Sequence, residues 1–197
     1  MGTGQLPERS LPVDPARRLC LITNAMSGSN DAASLAALQD DLLACAVEIV
    51  DHVTFPEEDL PQPAELDAAG VTLVVVYAGD GTLNAVLDRL AGWSGAVLVL
   101  RGGTMNLLFH RLHGKDATTA EVIAALHAGT LQPIRPQVIR CPAGFAYAGL
   151  LAGPGTAWNQ VREAMRTNAV LEFAEGTFAA LSETLEAAPV ACREPML

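Results

Sequence analysis

Apolar residues return along the chain in two alternating rhythms. One is the short unbroken run: Leu19 to Thr23, Val47 to Phe55, Val71 to Tyr77 and Ala96 to Leu100. Runs of this length, rich in valine and leucine and stopped by polar loops, suit strands covered on both faces of a parallel sheet. The other rhythm places apolar positions three and four apart, as on one stripe of a helix. Leu35, Leu38, Leu42 and Cys45 form such a stripe, with Ser29 or Asn30 as its cap. Ala64 to Ala69 form a short one stopped by Gly70, after an acidic turn opened by Pro56. Leu83, Val86, Leu87 and Leu90 form a third, and Leu107, Leu108 and Leu112 a fourth that Gly114 ends. Thr118 and Glu121 have capping-box spacing ahead of Val122, Ile123 and Leu126, and Gly129 closes that helix.

Strand and helix alternating in this way predict an α/β fold of three layers, αβα, with a mainly parallel sheet over residues 19–131. The rhythm then changes. Val138 to Cys141 and Phe145 to Leu151 flank the turn sequence Pro142-Ala143-Gly144, which predicts an antiparallel hairpin. A helix through Trp158, Val161 and Met165, capped by Thr156, and a stripe at Phe178, Leu181 and Leu185 follow. Residues 132–197 therefore read as an incomplete, β-rich second domain. Residues 1–18 carry Pro7, Pro12 and Pro15 with no apolar centre, so they read as a flexible tail and not a signal peptide.

Composition narrows the function. Half of the 197 residues are hydrophobic but only 5% are aromatic, so the core is expected to be aliphatic. The net charge of −10 argues against a nucleic-acid binder, which needs clustered Lys and Arg. Cys20, Cys45, Cys141 and Cys192 are scattered without a C-x-x-C pair, which fits reduced, inert thiols in a cytoplasmic protein. No apolar run approaches the roughly 18 residues of a membrane span.

The candidate chemistry sits in three loops, each after a predicted strand: Asn24 to Gly28, Ala78 to Asn84, and Arg101 to Asn106. In open α/β sheets ligands bind at the carboxyl ends of strands. Gly79 and Gly81 are expected to let the chain turn tightly and a ligand approach the backbone, so a side chain at Gly81 should block both. A helix starting after Gly81 would present free N–H groups and its positive dipole end to an anion, with the Thr82 hydroxyl as a further donor. A phosphate is the natural occupant. Asp80 beside it either binds a cation that bridges to the phosphates or holds the loop by accepting backbone N–H bonds. His110 and His113 lack a third ligand and read as solvated or capping residues; Trp93 and Trp158 read as packing residues, and Glu57, Glu58 and Asp59 as a solvated helix start.

The chain has neither a P-loop nor a G-x-G-x-x-G fingerprint. Instead Asn24-Ala-Met-Ser-Gly28 resembles N-P-x-S-G, Ala78-Gly-Asp-Gly-Thr82 resembles G-G-D-G-T, and Arg101-Gly-Gly-Thr-Met-Asn106 resembles P-x-G-T-x-N. These are motifs of the diacylglycerol kinase catalytic family, which includes bacterial lipid kinases and sphingosine kinases. The resemblance runs over about residues 19 to 165, and Phe145 to Gly153 resembles the start of that family's second domain. It implies an ATP-dependent lipid kinase using Mg²⁺, with a nucleotide site made by Asn24, Ser27, Gly28, Thr54, Ala78, Gly79, Asp80, Gly81, Thr82, Asn84, Gly103, Thr104 and Asn106, and with Asp80 as the metal-side residue. It implies a diacylglycerol-like substrate met at a membrane surface by a cytoplasmic protein in transient contact with that membrane.

Three departures go with it: Ala78, Ala25 and Arg101 replace a glycine and two prolines, and Arg101 could reach a phosphate. The family's D-G-E segment, whose acid deprotonates the lipid hydroxyl, has no counterpart before Leu197, so no catalytic residue is assigned. The chain is accordingly expected to be the nucleotide-binding half plus the start of the substrate half, to transfer phosphate slowly or not at all, and to cover exposed strand edges by forming a homo-oligomer. NAD kinase, which shares the G-G-D-G-T loop, is an alternative, disfavoured by the G-T-M-N and N-x-x-S-G elements. A non-catalytic nucleotide-binding or regulatory protein is another.

Overall fold

The computed structural model describes residues 17–24, 32–45, 47–141 and 144–149. In chain order they form β1 (Arg17–Thr23), α1 (Ala32–Ala44), β2 (Val47–Thr54), α2 (Pro63–Ala68), β3 (Leu73–Ala78), α3 (Asp80–Arg89), β4 (Ala96–Arg101), α4 (Leu107–His113), α5 (Thr119–His127), β5 (Ile139–Cys141) and β6 (Gly144–Ala146). Ser27, Gly28, the Ser29 and Asn30 caps, and the helices expected beyond Thr156 lie outside the described residues.

The first four strands form one parallel sheet in the order β2-β1-β3-β4. The chain steps from β1 to β2 in one direction and from β3 to β4 in the other. Right-handed crossovers therefore put α1 on one face and α3 on the opposite one. Side-chain contacts agree. The Cys45 thiol just after α1 reaches the Ile123 carbonyl of α5 at 3.8 Å, so α5 shares the α1 face. Trp93 Nε1, after α3, donates to Asp67 Oδ1 of α2 at 2.8 Å, so α2 shares the α3 face.

Every residue of β3 is buried, as its unbroken valine run required of a central strand. The core is aliphatic, built on Leu19, Leu21, Ile22, Val74, Val75, Val76 and Leu100, and Phe109 is its largest fully buried side chain. Burying one such ring stabilises the fold by roughly 2–3 kcal/mol. Cys20 lies in this core, where burial and then the Asp51 carboxylate push its thiol up to about 12.

Local signals fixed several boundaries. The α5 capping box is complete: Glu121 N–H donates to Thr118 Oγ1 at 3.2 Å, and Thr118 N–H donates back to Glu121 Oε2 at 2.8 Å. Gly70 ends the α2 region at φ +66 and Gly114 ends α4 at φ +99. Two expectations shift. β3 starts at Leu73, because Val71 N–H turns back to the Leu66 carbonyl (2.8 Å) and leaves the ladder. The predicted hairpin exists, but its strands are three residues each, and β6 ends at Ala146 because Tyr147 N–H is taken by a side chain.

Candidate functional site

Parallel register carries the candidate loops to one edge. Thr23 pairs with Thr54 on one side and with Tyr77 on the other, and Ala78 pairs with Arg101. The four carboxyl ends therefore lie in a row, and the sheet reverses its winding between β1 and β3. A crevice opens at such a reversal. Asn24, at the end of β1, and Gly79, at the end of β3, flank it.

α3 begins one residue after β3. Gly79 is its N-cap at φ −77, ψ 169, and helical geometry starts at Asp80 itself. This corrects the expected loop: Ala78 is the buried last residue of β3, Asp80, Gly81 and Thr82 are the first helical turn, and neither glycine needs a left-handed backbone. The first intrahelical bond runs from Leu83 N–H to the Gly79 carbonyl, so the N–H groups of Asp80, Gly81 and Thr82 stand ahead of the helical ladder. A Cβ built on Gly81 meets nothing within 4 Å. The helix start is thus open to solvent at Gly81. Thr82 points the other way: it is buried, and its Oγ1 accepts a 2.8 Å bond from Asn24 Nδ2, tying α3 to the end of β1.

At the next loop two stretches of backbone lie against each other. A Cβ on Gly102 would lie 2.5 Å from the Tyr77 carbonyl carbon and 2.7 Å from Ala78 Cα; one on Gly103 would lie 2.5 Å from Gly79 Cα. Real Cβ atoms do not come so near backbone, so the chain leaving β4 can lean on the chain leaving β3 only if both residues are glycine. Asn106 then closes the loop. It adopts φ 48, its Oδ1 accepts from Gly103 N–H at 2.9 Å and its Nδ2 donates to the Gly103 carbonyl at 2.6 Å. Its amide is spent on shaping the backbone, while Thr104 and Met105 stand exposed at the rim. On the far side Glu58 accepts from Thr54 N–H at 2.7 Å and so holds the end of β2.

Asp80 is built into the loop framework. Its Oδ2 accepts from Leu107 N–H at 3.1 Å and its Oδ1 from Leu108 N–H at 3.3 Å, so one carboxylate caps the start of α4. That matches the backbone-holding role considered for it; among the described residues no group of three or more His, Cys, Asp or Glu could hold a metal ion. Asn84, one turn later on α3, spans to the hairpin: its Nδ2 donates to the Phe145 carbonyl at 3.1 Å and its Oδ1 accepts from Tyr147 N–H at 3.0 Å. Arg111 Nη2 donates to the Tyr147 carbonyl at 2.8 Å and the Gln137 carbonyl at 3.1 Å. Arg111, Tyr147 and Gly102 were not singled out in the sequence. Only Gly102 carried a signal, as half of a glycine doublet after a strand.

A family model of the diacylglycerol kinase catalytic domain matches residues 18–138, more than half of the chain. The chain belongs to the diacylglycerol kinase catalytic domain family. Among solved structures it is similar to one named as a "putative diacylglycerol kinase from Bacillus anthracis str. Sterne", with 24% identity and a TM-score of 0.41; the match covers 57% of this chain and 39% of that one. The chain thus spans well under half of that relative's length. No functionally curated protein matches it.

Of the three departures from the diacylglycerol kinase motifs, Ala78 and Arg101 can be placed, and Ala25 lies outside the described residues. The Ala78 methyl is buried at the end of β3, in ordinary strand backbone. Arg101 pairs with Ala78 through the sheet, and its guanidinium lies 5.8 Å over the Phe109 ring with Nη1 3.4 Å from the Ala117 carbonyl, directed at α4 and the loop after it and not at the crevice. His113 packs on the same ring at 4.9 Å between centroids; burial lowers its pKa, against a backbone hydrogen bond at Val99 that raises it. His110 Nδ1 sits 3.4 Å from the Gly114 carbonyl, the capping position expected of it.

Proposed function

We propose that the chain is the nucleotide-binding part of a lipid kinase that moves a phosphoryl group from ATP to the hydroxyl of a diacylglycerol-like lipid. The observation that carries this reading is the open start of α3. Three N–H groups ahead of the helical ladder, the positive end of a ten-residue helix and free space at Gly81 suit a phosphate, at the crevice where this sheet reverses its winding. Phosphoryl transfer asks mainly for positioning and charge neutralisation, and both are available from a preorganised helix start.

The roles divide as follows. The backbone of Gly79 to Thr82 takes the phosphates. Asn24, Thr54 and Thr104 border the rest of the nucleotide, with Ser27 and Gly28 beyond the described residues. Gly103 and Asn106 shape the wall, Asp80 orders it, and Asn84 ties it to the hairpin. Magnesium bound with ATP would supply charge neutralisation on the phosphates, and Asp80 is the carboxylate at that helix end. Residues 19–131 form the nucleotide domain in this reading, and residues 132–197 belong to the lipid-binding part. Support for a lipid acceptor comes from Met105, Leu107 and Phe145, exposed by 54%, 45% and 41%; Asp80 holds the backbone of Leu107 and Asn84 that of Phe145. Among the described residues no helix is long and apolar enough to cross a membrane. In this reading the protein is cytoplasmic and meets its lipid transiently at the bilayer surface.

The test measures Mg·ATP binding by titration calorimetry, then phosphate transfer from labelled ATP to diacylglycerol in mixed micelles and, separately, to NAD. Saturable ATP binding is expected, weakened more than about tenfold in Gly81→Val, the equivalent of one charge-assisted hydrogen bond. Any transfer detected should go to the lipid. A folded chain without ATP affinity, or one that phosphorylates NAD and not lipid, would overturn the reading.

A further inference from the structure

The hydrogen bonds around α3 form a closed ring. Asp80, at its first residue, holds Leu107 and Leu108 N–H at the start of α4. Arg111 is four residues after Leu107, on the same helical face, and holds the Tyr147 carbonyl. Tyr147 N–H returns to Asn84, which is four residues after Asp80 on α3. A second bond at Asn84 takes the Phe145 carbonyl, and a second at Arg111 takes the Gln137 carbonyl. The Asn84 amide meets the carbonyl of Phe145 and the N–H of Tyr147 as a neighbouring strand would. It acts as a one-residue strand fused to the helix that starts the proposed phosphate site.

We infer that Asn84 is a positioning residue that couples occupancy of the α3 start to the placement of the hairpin end, residues 144–149. The inference rests on the ATP reading above and deepens it. The mechanism is rigid-body. α3 is one continuous helix, so whatever fixes its first turn fixes Asn84 one turn on. With both amide atoms engaged, Asn84 must carry Phe145 and Tyr147 with it. Arg111 closes the ring from α4, so the hairpin end is gripped from two helices that Asp80 already joins.

Amide hydrogen exchange on the 197-residue chain tests this. Without ligand, Asn84→Leu should speed Tyr147 exchange by roughly five- to tenfold, the loss of one hydrogen bond, and leave the β3 amides unchanged. With saturating Mg·ATP the wild type should slow exchange at Phe145 and Tyr147 several-fold, and Asn84→Leu should abolish that response. Arg111→Met opens the ring without touching α3. It should weaken the response while keeping ATP affinity within about threefold, and it serves if Asn84→Leu does not fold. Asn84→Asp, which keeps only the acceptor for Tyr147 N–H, should restore part of the response. Hairpin exchange indifferent to ATP while the Gly79–Asn84 amides respond would overturn the coupling and leave ATP binding standing. An unchanged response in both Asn84→Leu and Arg111→Met would overturn it too. Failure of ATP to protect any amide would sink the ATP reading and the coupling with it, while the ligand-free comparison would still show whether the latch exists.

Discussion

The same substitution at two glycines of the site should act with opposite signs. At Gly102 an added Cβ lies 2.5 Å from the Tyr77 carbonyl carbon and 2.7 Å from Ala78 Cα, against 3.4 Å or more for ordinary contact. All of these neighbours are backbone, so nothing can swing aside. Relief requires β3 and β4 to part by about 1 Å near Ala78 and Arg101, which stretches hydrogen bonds of about 2.9 Å past the roughly 3.2 Å limit. Losing one or two ladder bonds at about 1 kcal/mol each, on top of about 1–3 kcal/mol for overpacking, gives a destabilisation of roughly 2–5 kcal/mol. At Gly81 an added Cβ meets nothing, and the backbone is helical. Alanine there should be neutral or stabilise by up to about 1 kcal/mol through helix propensity alone.

Urea unfolding followed by far-ultraviolet circular dichroism measures both. With a slope of about 2 kcal/mol per molar, the Gly102→Ala midpoint should fall by about 1–2.5 M and that of Gly81→Ala should hold or rise. If Gly102→Ala unfolds within about 0.5 kcal/mol of the wild type, or Gly81→Ala costs as much as Gly102→Ala, the assignment of close packing to the second loop and of open ligand space to the first is wrong.

Two further outcomes are expected. Asp80→Ala leaves two N–H groups at the start of α4 without their carboxylate and should destabilise by about 1–2 kcal/mol, read by the same unfolding curves; if the fold is unaffected and only ATP affinity in magnesium drops, the carboxylate serves the ligand and not the loop. The Glu121 carboxyl is held below its usual range of 4.5 by the Thr118 backbone N–H and then by the Thr118 hydroxyl, so the unfolded chain binds the extra proton. Its stabilising effect is therefore full above pH 4.5 and lost as pH falls through the lowered value. Unfolding curves of wild type and Glu121→Gln should differ near neutrality and converge in acid.

Much of this protein was legible in its linear pattern, because the signals involved are local. Four apolar runs became the four parallel strands, since a stretch like Val74 to Val76 can be satisfied only by cover on both faces. The Thr118–Glu121 box and the Gly70 and Gly114 stops marked ends through bonds and backbone angles within a few residues. Asn24, Gly79 and Gly102, where the three loops start, lay at one edge because parallel pairing aligns whatever directly follows each strand.

The work done by each residue in those loops was decided by partners far along the chain. Asp80 reaches 27 residues ahead, and Asn84 reaches 61 and 63. No spacing rule announces such bonds, because they exist only once α3, α4 and the hairpin have packed. The glycines show the same division. Gly81, Gly102 and Gly103 look alike in sequence, yet Gly102 and Gly103 are required by strand ends pressed together, while Gly81 faces open space. A glycine states that a side chain is absent, and only its neighbours in three dimensions state what the absence is for.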